Sequence, residues 1–497
     1  MPKFVFLATD IALMAILLGI ALYARHAVRS VNLRQTWSQV LKSPSAVAAG
    51  LVLLLFFAIA TIDSVHFRPR LPPAADTPTG AAAPVAYSTR TLSLLDVLLS
   101  GPRESVERTY SVPLGTHQFS KESILVDGKM VREFPRLAYG GRHLRDTATE
   151  WLPDVLTRSA AGLAFGGGAA ALLWGLAAWR LGRRDGQGTS AALGAIWRGH
   201  TSYPWRAALL TLSVMALIAG WLAALWPHYH VMGTDQTGND VLFQAIKSSR
   251  TAIVIGSLAT LATLPLAMLF GVLAGYFKGW VDDLIQYLYT VLSSIPSVLL
   301  ISAFVLLIQV FIDKNPTLFE TGLERADVRL FLLAVVLGIT GWAQLARLLR
   351  AETLKLGELD FVQAARAFGV SDVGIMRRHI LPNVMHIVVI VAVLDFSGLV
   401  LYEAVLSYVG VGVDPSTNSF GTMINGARNE MSRDPVVWWN LMTAFGFMVT
   451  LVLSMTLFSS AVREAFDPRA RSFRVRRLPP PAPAGAATAA PTTAAKA

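Results

Sequence analysis

Few residues in this chain could do chemistry, and the sequence excludes most kinds of active site. Cysteine is absent, which excludes disulfides, thiolate metal sites and cysteine nucleophiles. The nine histidines are scattered without an HExxH pair, and the Gly128-Lys129 pair has no phosphate-binding loop around it. We therefore predict no catalytic residue, no metal site and no ATP hydrolysis in this chain, which is not expected to be an enzyme.

One short segment, from Asp360 to Gly369, has a pattern that predicts a binding function. Asp360 is a good N-cap and Gly369 a good residue to follow a helix C-terminus. Between them, aromatic and alanine residues recur at helical spacing: Phe361, Ala364, Ala365 and Phe368. Such a face suits a groove on another protein. It equally suits an interfacial helix lying on lipid headgroups, and the pattern alone leaves both open.

The composition predicts that this segment is held by a membrane-embedded helical bundle. Hydrophobic residues make up 54% of the 497 residues and charged residues 15%, against roughly 25% charged in soluble proteins. A helix needs about 20 apolar residues to span a bilayer. Nine windows qualify: 4–24, 46–62, 160–179, 207–227, 251–277, 284–312, 330–346, 387–409 and 435–462. The predicted fold class is an all-α polytopic membrane protein.

The positive charge, a net +11, follows the predicted topology. Arginine and lysine concentrate in segments 180–206, 347–378 and 463–477, which fall on one side of the bundle when the spans are counted. Short basic loops are typically cytoplasmic. We therefore expect a cytoplasmic C-terminus, an outer N-terminus and no nucleic-acid partner. An uncleaved first helix is favoured over a cleaved secretory signal.

The polar stretch 63–154 is expected to form a small β-containing domain on the outer face. It opens with a Pro/Ala-rich linker at 68–84. Alternating residues around an Asp127-Gly128 turn predict a hairpin. The Pro/Ala/Thr-rich tail, 472–497, is expected to be disordered.

Two carboxylates, Asp395 and Glu403, interrupt the eighth predicted span. A charge within the membrane is costly, so both are expected to face the bundle interior or a water-filled path. They are candidates for a translocation pathway, where they could contact an ammonium group of the cargo. Pairing with polar groups of a neighbouring helix is an equal alternative. Asp10, in the first span, is expected to pack against neighbouring N-terminal helices.

Beyond these patterns, the segment at 350–384 resembles the EAA loop of ABC-importer permeases. Ala364, Ala365, Gly369, Leu381 and Pro382 stand at the spacing of that motif. Gln363 replaces its glutamate and His379 its aliphatic residue, and both departures resemble the oligopeptide/dipeptide (peptide/nickel) importer branch, C-type subunit. Further segments resemble the same branch in order: 233–241, 274–282, 294–297, 403–412, 420–423 and 461–469.

The resemblance implies a bacterial inner-membrane permease subunit of an importer for di- or oligopeptides or related solutes. It implies four kinds of partner besides membrane lipid: a second permease of the B type, two ABC ATPase subunits, ATP and Mg in those ATPases, and a periplasmic solute-binding protein. The residues expected to couple to the ATPases are Asp360, Phe361, Val362, Ala364, Ala365, Arg366, Phe368 and Gly369. Glu352 and Arg366 are expected to form rim ion pairs or to stay solvated.

The resemblance also divides the chain. The predicted parts are two N-terminal spans (1–62), the outer domain (63–154), a third extra span with a linker (155–202), a six-helix permease core (203–471) and the tail (472–497). A stand-alone ion-coupled secondary transporter is the alternative function. Such a transporter would show inverted repeats and paired intramembrane charges. Neither is seen in the sequence.

Overall fold

A computed structural model describes residues 2–71, 87–126, 129–186, 188–319 and 321–466. Most of the predicted linker, the Asp127-Gly128 turn and the predicted tail lie outside these residues. In chain order the elements are β1 (Lys3–Val5), α1 (Ala8–Arg29), α2 (Val31–Val40), α3 (Pro44–Asp63), β2 (His66–Arg68), β3 (Leu92–Ser93), α4 (Leu94–Leu98), α5 (Ser100–Glu104), β4 (Glu122–Val126), β5 (Lys129–Glu133), α6 (Thr147–Asp185), α7 (Thr189–Arg198), α8 (Trp205–Leu225), α9 (Val241–Phe277), α10 (Gly279–Ser294), α11 (Ser297–Lys314), α12 (Gly322–Gly357), α13 (Asp360–Ala367), α14 (Asp372–Ile375), α15 (Leu381–Tyr408), α16 (Phe420–Glu430) and α17 (Trp439–Phe466).

Nine helices of the described residues are long and apolar enough to cross a membrane, which confirms the predicted number and fold class. They are α1, α3, α6, α8, α9, α11, α12, α15 together with the turns before it, and α17. Two predicted windows were wrong in detail. The first begins with strand β1, so its helix starts only at Ala8. The window 284–312 is broken at Ile295-Pro296 because proline ends a helix at the residue before it, which separates α10 from α11.

The main hydrophobic core joins helices from both ends of the sequence. It contains Leu13 of α1 and Leu53, Phe56 and Ala60 of α3, all packed with buried residues of α9, α11, α12, α15 and α17. Residues 1–62, which the resemblance set apart from the permease core, therefore supply part of that core. Conversely α8, expected to be the first core span, packs mainly against α6.

Glycines let the helices of two pairs approach closely. A Cβ atom on Gly166 of α6 would lie 2.5 Å from the carbonyl oxygen of Ala216 in α8, and one on Gly162 would lie 2.6 Å from that of Gly220. In the second pair, a Cβ on Gly271 of α9 would lie 2.8 Å from the carbonyl oxygen of Ala346 in α12. Small residues at such contacts stabilise helix association in lipid by allowing backbone packing.

Arg250 of α9 is buried at one end of the bundle and joins three helices. Its Nη2 donates to Oδ1 of Asp10 in α1 at 2.6 Å and lies 3.5 Å from Oδ1 of Asp327 in α12. The backbone N–H of Thr9 donates to Asp327, and His66 contacts the second oxygen of Asp10 at 2.8 Å. Asp10, which was expected to pack against neighbouring N-terminal helices, is instead paired with a core arginine more than 200 residues away.

The described residues between 64 and 146 form a small domain at this same end of the bundle; we call it the outer domain and this end the outer end, following the predicted orientation. Strands β1, β2 and β3 form an antiparallel sheet, and β4 and β5 form the predicted hairpin. Backbone hydrogen bonds fix the domain to the loop before α9: Glu107 donates to Gly238, Leu114 to His230 and Gly141 to His228, each at 2.9 Å.

A buried ionic cluster strengthens this attachment. Nδ1 of His230 lies 2.9 Å from Asp240, and its Nε2 lies 3.5 Å from Glu107 of the outer domain. Burial disfavours the charged form of Glu107, but the nearby imidazole of His230 and hydrogen bonds from the amides of residues 138–140 outweigh it and lower the pKa to about 2. Burial likewise disfavours the imidazolium of His230, but Asp240 and Glu107 outweigh it and raise that pKa to about 9.

These pKa shifts predict a pH dependence of stability. The contribution of His230 is complete below its ordinary pKa of 6.5 and is lost as the pH rises through about 9. The contribution of Glu107 is complete above 4.5 and is lost as the pH falls toward 2. We expect the thermal unfolding midpoint in detergent to decline between pH 6.5 and 9, and His230→Gln to flatten that decline. The exposed His200→Gln serves as the control, and an unchanged slope in His230→Gln would contradict the assignment.

The glycine contact between α6 and α8 predicts a position-specific cost of added volume. Gly166→Val should destabilise the protein by about 1–3 kcal/mol, since the new side chain must displace the α8 backbone. Gly168→Val adds the same side chain two residues along the same helix, where nothing lies within 4 Å. Unfolding midpoints in detergent compare the two variants, and equal midpoints would refute the close packing.

Candidate functional site

The predicted binding segment forms helix α13 at the end of the bundle opposite the outer domain. Leu359 occupies the N-cap position with extended backbone and no side-chain cap. The prediction that Asp360 is the N-cap was wrong by one residue, because Asp360 is the first helical residue. There its carboxylate still interacts favourably with the positive N-terminal end of the helix dipole. Gly369 follows the helix with φ of +77°, a conformation that favours glycine, as predicted.

One side of α13 anchors it to the bundle. Val362 is 1% exposed and packs in a hydrophobic cluster with Leu349 of α12, Ile375 of α14 and Ile380. Ala365 is partly buried against the same cluster. Val362 is therefore not part of the exposed surface of α13. Its burial makes it an anchor of the helix, and its predicted coupling role stays a prediction.

The other side of α13 is open. Phe361 is 44% exposed and Phe368 is 88% exposed, and Ala364 between them is also exposed. Two phenylalanines and an alanine thus form an unpartnered apolar surface, which we call the α13 face. A large apolar side chain left in the open, next to polar residues, is typical of an interaction site.

Polar contacts fix the surroundings of α13. The guanidinium of Arg366 lies over the ring of Tyr276 with its carbon 5.1 Å from the centroid, and the hydroxyl of Tyr276 donates to Asp372 at 2.6 Å. Lys278 pairs with Glu358 at 2.7 Å. Glu352, predicted as a rim residue, pairs instead with Lys355 of its own helix.

The segment continues into a membrane span without a flexible linker. After α14, residues Met376–Ile380 form one π-helical turn that leads directly into α15. The ring of His379 in this turn lies 5.9 Å from that of Phe361. Through Val362, helix α13 also packs against Ile375 and Ile380, which lead into α15.

The two carboxylates of the eighth span have different surroundings. Glu403 is buried and accepts a hydrogen bond from Ser407 of the same helix at 2.6 Å, and its predicted pathway role stays a prediction. Asp395 is only half-buried. Within the described part of the chain, its carboxylate has no hydrogen-bond or ion-pair partner, and no group of three His, Asp or Glu residues there could hold a metal ion.

Sequence reasoning did not identify two features of the structure. The first is the Arg250 cluster at the outer end, for which the available signal was an arginine immediately before the apolar window 251–277. The second is the helix break at Pro296, which leaves the hydroxyl-bearing residues Ser293, Ser294 and Ser297 exposed. Here the signal was a proline inside the apolar window 284–312.

Comparisons with known proteins agree with this geometry. The family described as "Binding-protein-dependent transport system inner membrane component" matches residues 267–472. The oligopeptide transport system permease protein OppC of Escherichia coli (strain K12) is 32% identical over 242 residues, 49% of this chain and 73% of that protein. OppC of Haemophilus influenzae is 30% identical over 243 residues, 49% of this chain and 71% of that protein.

Other similarities are weaker. The dipeptide transport system permease protein DppC of Lactococcus lactis is 29% identical over 241 residues, 48% of this chain and 64% of that protein. A solved structure of the MetNI methionine ABC transporter covers 44% of this chain and 93% of its own at 19% identity, with a TM-score of 0.33, which carries no argument about the fold. The identity to the OppC proteins and their coverage decide the assignment: the chain belongs to the oligopeptide/dipeptide branch of the membrane-spanning permease subunits of ABC importers.

Proposed function

We propose that this permease subunit moves peptides or related solutes inward across a bacterial inner membrane, driven by separate ATPase subunits that dock on the α13 face. The observation that carries the docking role is the exposure of Phe361 and Phe368 on a helix whose other side is anchored by Val362. The peptide cargo follows from the names of the relatives, which are oligopeptide and dipeptide permeases.

The α13 face has the properties expected of a surface that docks into a groove of another protein. Aromatic side chains in pockets contribute most of the binding free energy at protein interfaces. The exposed Ala364 leaves the helix backbone accessible between the two rings, and Gly369 ends the helix so that the following chain turns away. Arg366 is held over Tyr276 beside this face, where its charge can contact acidic groups at the rim.

The remaining partners complete the importer. ATP and Mg would be held by two ABC ATPases, since this sequence contains no phosphate-binding loop. A second permease of the B type would supply the other half of the pathway, and a periplasmic solute-binding protein would deliver cargo at the outer end. We propose that α13 and the C-terminus lie in the cytoplasm, because short basic segments are typically cytoplasmic.

The packing also supports a revised division of the chain. The permease core would consist of α1, α3, α9, α11, α12, α15, α16 and α17, which share the main hydrophobic core, together with α10, α13 and α14, which pack in the neighbouring cluster of α9, α12 and α15. The outer domain and the α6–α8 pair would then be additions placed between α3 and α9 in the sequence. Residues 203–225 would belong to the addition rather than to the core.

The docking role predicts a large effect of charge on the α13 face. Phe368→Asp should weaken ATPase binding by about 2 kcal/mol or more, roughly thirtyfold, because an anchoring ring is lost and a carboxylate must be desolvated. Co-purification of the ATPases in mild detergent measures this loss. Phe134→Asp, the same change at an exposed phenylalanine of the outer domain, is the control and should retain the ATPases. Normal ATPase capture and peptide uptake by Phe368→Asp would reject the docking role.

The anchoring role predicts a different effect at Val362. Val362→Ala removes buried methyl groups and should loosen α13 by about 1–2 kcal/mol. Val373→Ala is the matched control, because the same change is made where the side chain is 68% exposed. We expect ATP hydrolysis with reduced peptide uptake in Val362→Ala only, measured as transport per ATP in proteoliposomes of the complete importer. Equal coupling in both variants would contradict the anchor. Peptide transport by this chain alone in liposomes would instead favour the secondary transporter.

A further inference from the structure

Helices α10 and α11 are separated by a break that is exposed along the bundle surface. Ile295 and Pro296 have extended backbone, with ψ of 130° and 120°. Ser293, Ser294 and Ser297 are all exposed around this break. Because a helix leaves its last carbonyl groups without helical partners and proline has no N–H, the break presents polar backbone as well as hydroxyl groups.

Two hydrogen bonds show the depth of the break in the bundle. Ser293 accepts from Arg347, which lies ten residues before the inner end of α12, about 15 Å along the helix. Ser297 accepts from Tyr402 at 2.8 Å, and Tyr402 lies six residues before the outer end of α15, about 9 Å along it. The break therefore lies between the inner end of α12 and the outer end of α15, near the middle of the predicted apolar window 284–312. Irregular backbone at such a depth is tolerated only inside protein or beside water.

Asp395 lies on the same face of α15 as Tyr402. The two residues are seven apart, two helical turns, and Gly398 lies between them with open space beside it. The half-buried carboxylate of Asp395 has no partner in the described residues. Since an unpaired charge facing lipid is costly, this face of α15 must meet water or another protein chain.

Asp395 contributes a negative charge to this surface, and Arg347 contributes a positive charge at the inner side of the break. Glu403 is buried away from it and bonded to Ser407. Arg347, at the inner side, is engaged by Ser293 at 2.6 Å and by the ring of Tyr289 at 4.7 Å. A cationic group passing this point would find a carboxylate, hydroxyl groups and carbonyl oxygens, all of which accept its hydrogen bonds.

We propose that Asp395 and the Ser293–Ser297 break form a polar site along the translocation path. This site prefers a protonated amine or guanidinium of the cargo. This inference rests on the proposed function, because it assumes that cargo crosses beside this subunit. It makes Asp395 a residue that determines specificity within the membrane, in addition to any selection by a binding protein.

The absence of cysteine allows a direct test of charge preference in the assembled importer. Ser297→Cys should react with a cationic, membrane-impermeant methanethiosulfonate at least about tenfold faster than with an anionic one, since a nearby carboxylate concentrates cations. Adding Asp395→Asn should abolish this bias, while Asp395→Glu should keep it. Leu306→Cys, on the exposed side of α11, is the control and should stay unreactive. An unreactive Ser297→Cys, or a bias that persists in Asp395→Asn, would overturn the proposal.

Measurements of peptide uptake distinguish a failure of this inference from a failure of the proposed function. In cells with the complete importer, Asp395→Asn should lower the uptake of trilysine at least about tenfold more than that of trialanine, whereas Asp313→Asn, at the exposed end of α11, should lower neither. Equal effects on the two peptides would overturn the charge preference and leave peptide transport intact. Loss of the second permease from purified Asp395→Asn would show a subunit contact and also overturn it. Absence of peptide uptake in the wild type would instead reject the proposed function.

Discussion

The buried guanidinium of Arg250 constrains the outer half of this bundle more than any other group. A charge removed from water must be paired, and here the pairing carboxylates come from α1 and α12. Removing either partner would leave a buried charge uncompensated. The three helices are thus fixed in register at one end, and the N-terminal helix, more than 200 residues distant in sequence, is part of the main helical core.

The same physics explains which parts of the fold were predictable. The number of spans follows from apolar length alone, because a bilayer imposes one thickness on every helix. The grouping of the spans does not follow from hydrophobicity, since lipid and helix surfaces are equally apolar and small residues decide the contacts. Gly162 and Gly166 indicated a close contact but not that α8 would be the partner. The partner of Asp10 is set by tertiary packing, which no local pattern contains.

At the candidate site, too, the sequence pattern predicted the local features but not those that depend on tertiary packing. The spacing of Phe361 and Phe368, followed by Gly369, was enough to predict a short helix with an aromatic face. It did not show that Val362, one residue from Phe361, would face the bundle and anchor the helix. Likewise the window 284–312 is apolar throughout, so only Pro296 signalled the break, and the surroundings of Asp395 depend on which helices pack beside it.

The tight contact at Gly238 has a consequence for biosynthesis. A side chain there would collide with the carbonyl oxygen of Glu107, so the loop and the outer domain must close directly on each other. Glu107 leaves the ribosome more than 100 residues before Gly238, roughly 10 s earlier at ordinary elongation rates. In the proposed orientation, α6 and α8 are inserted during that interval, while the exported outer domain still lacks its contact with this loop. The outer domain would therefore complete its packing only after two further membrane-spanning helices have been synthesised.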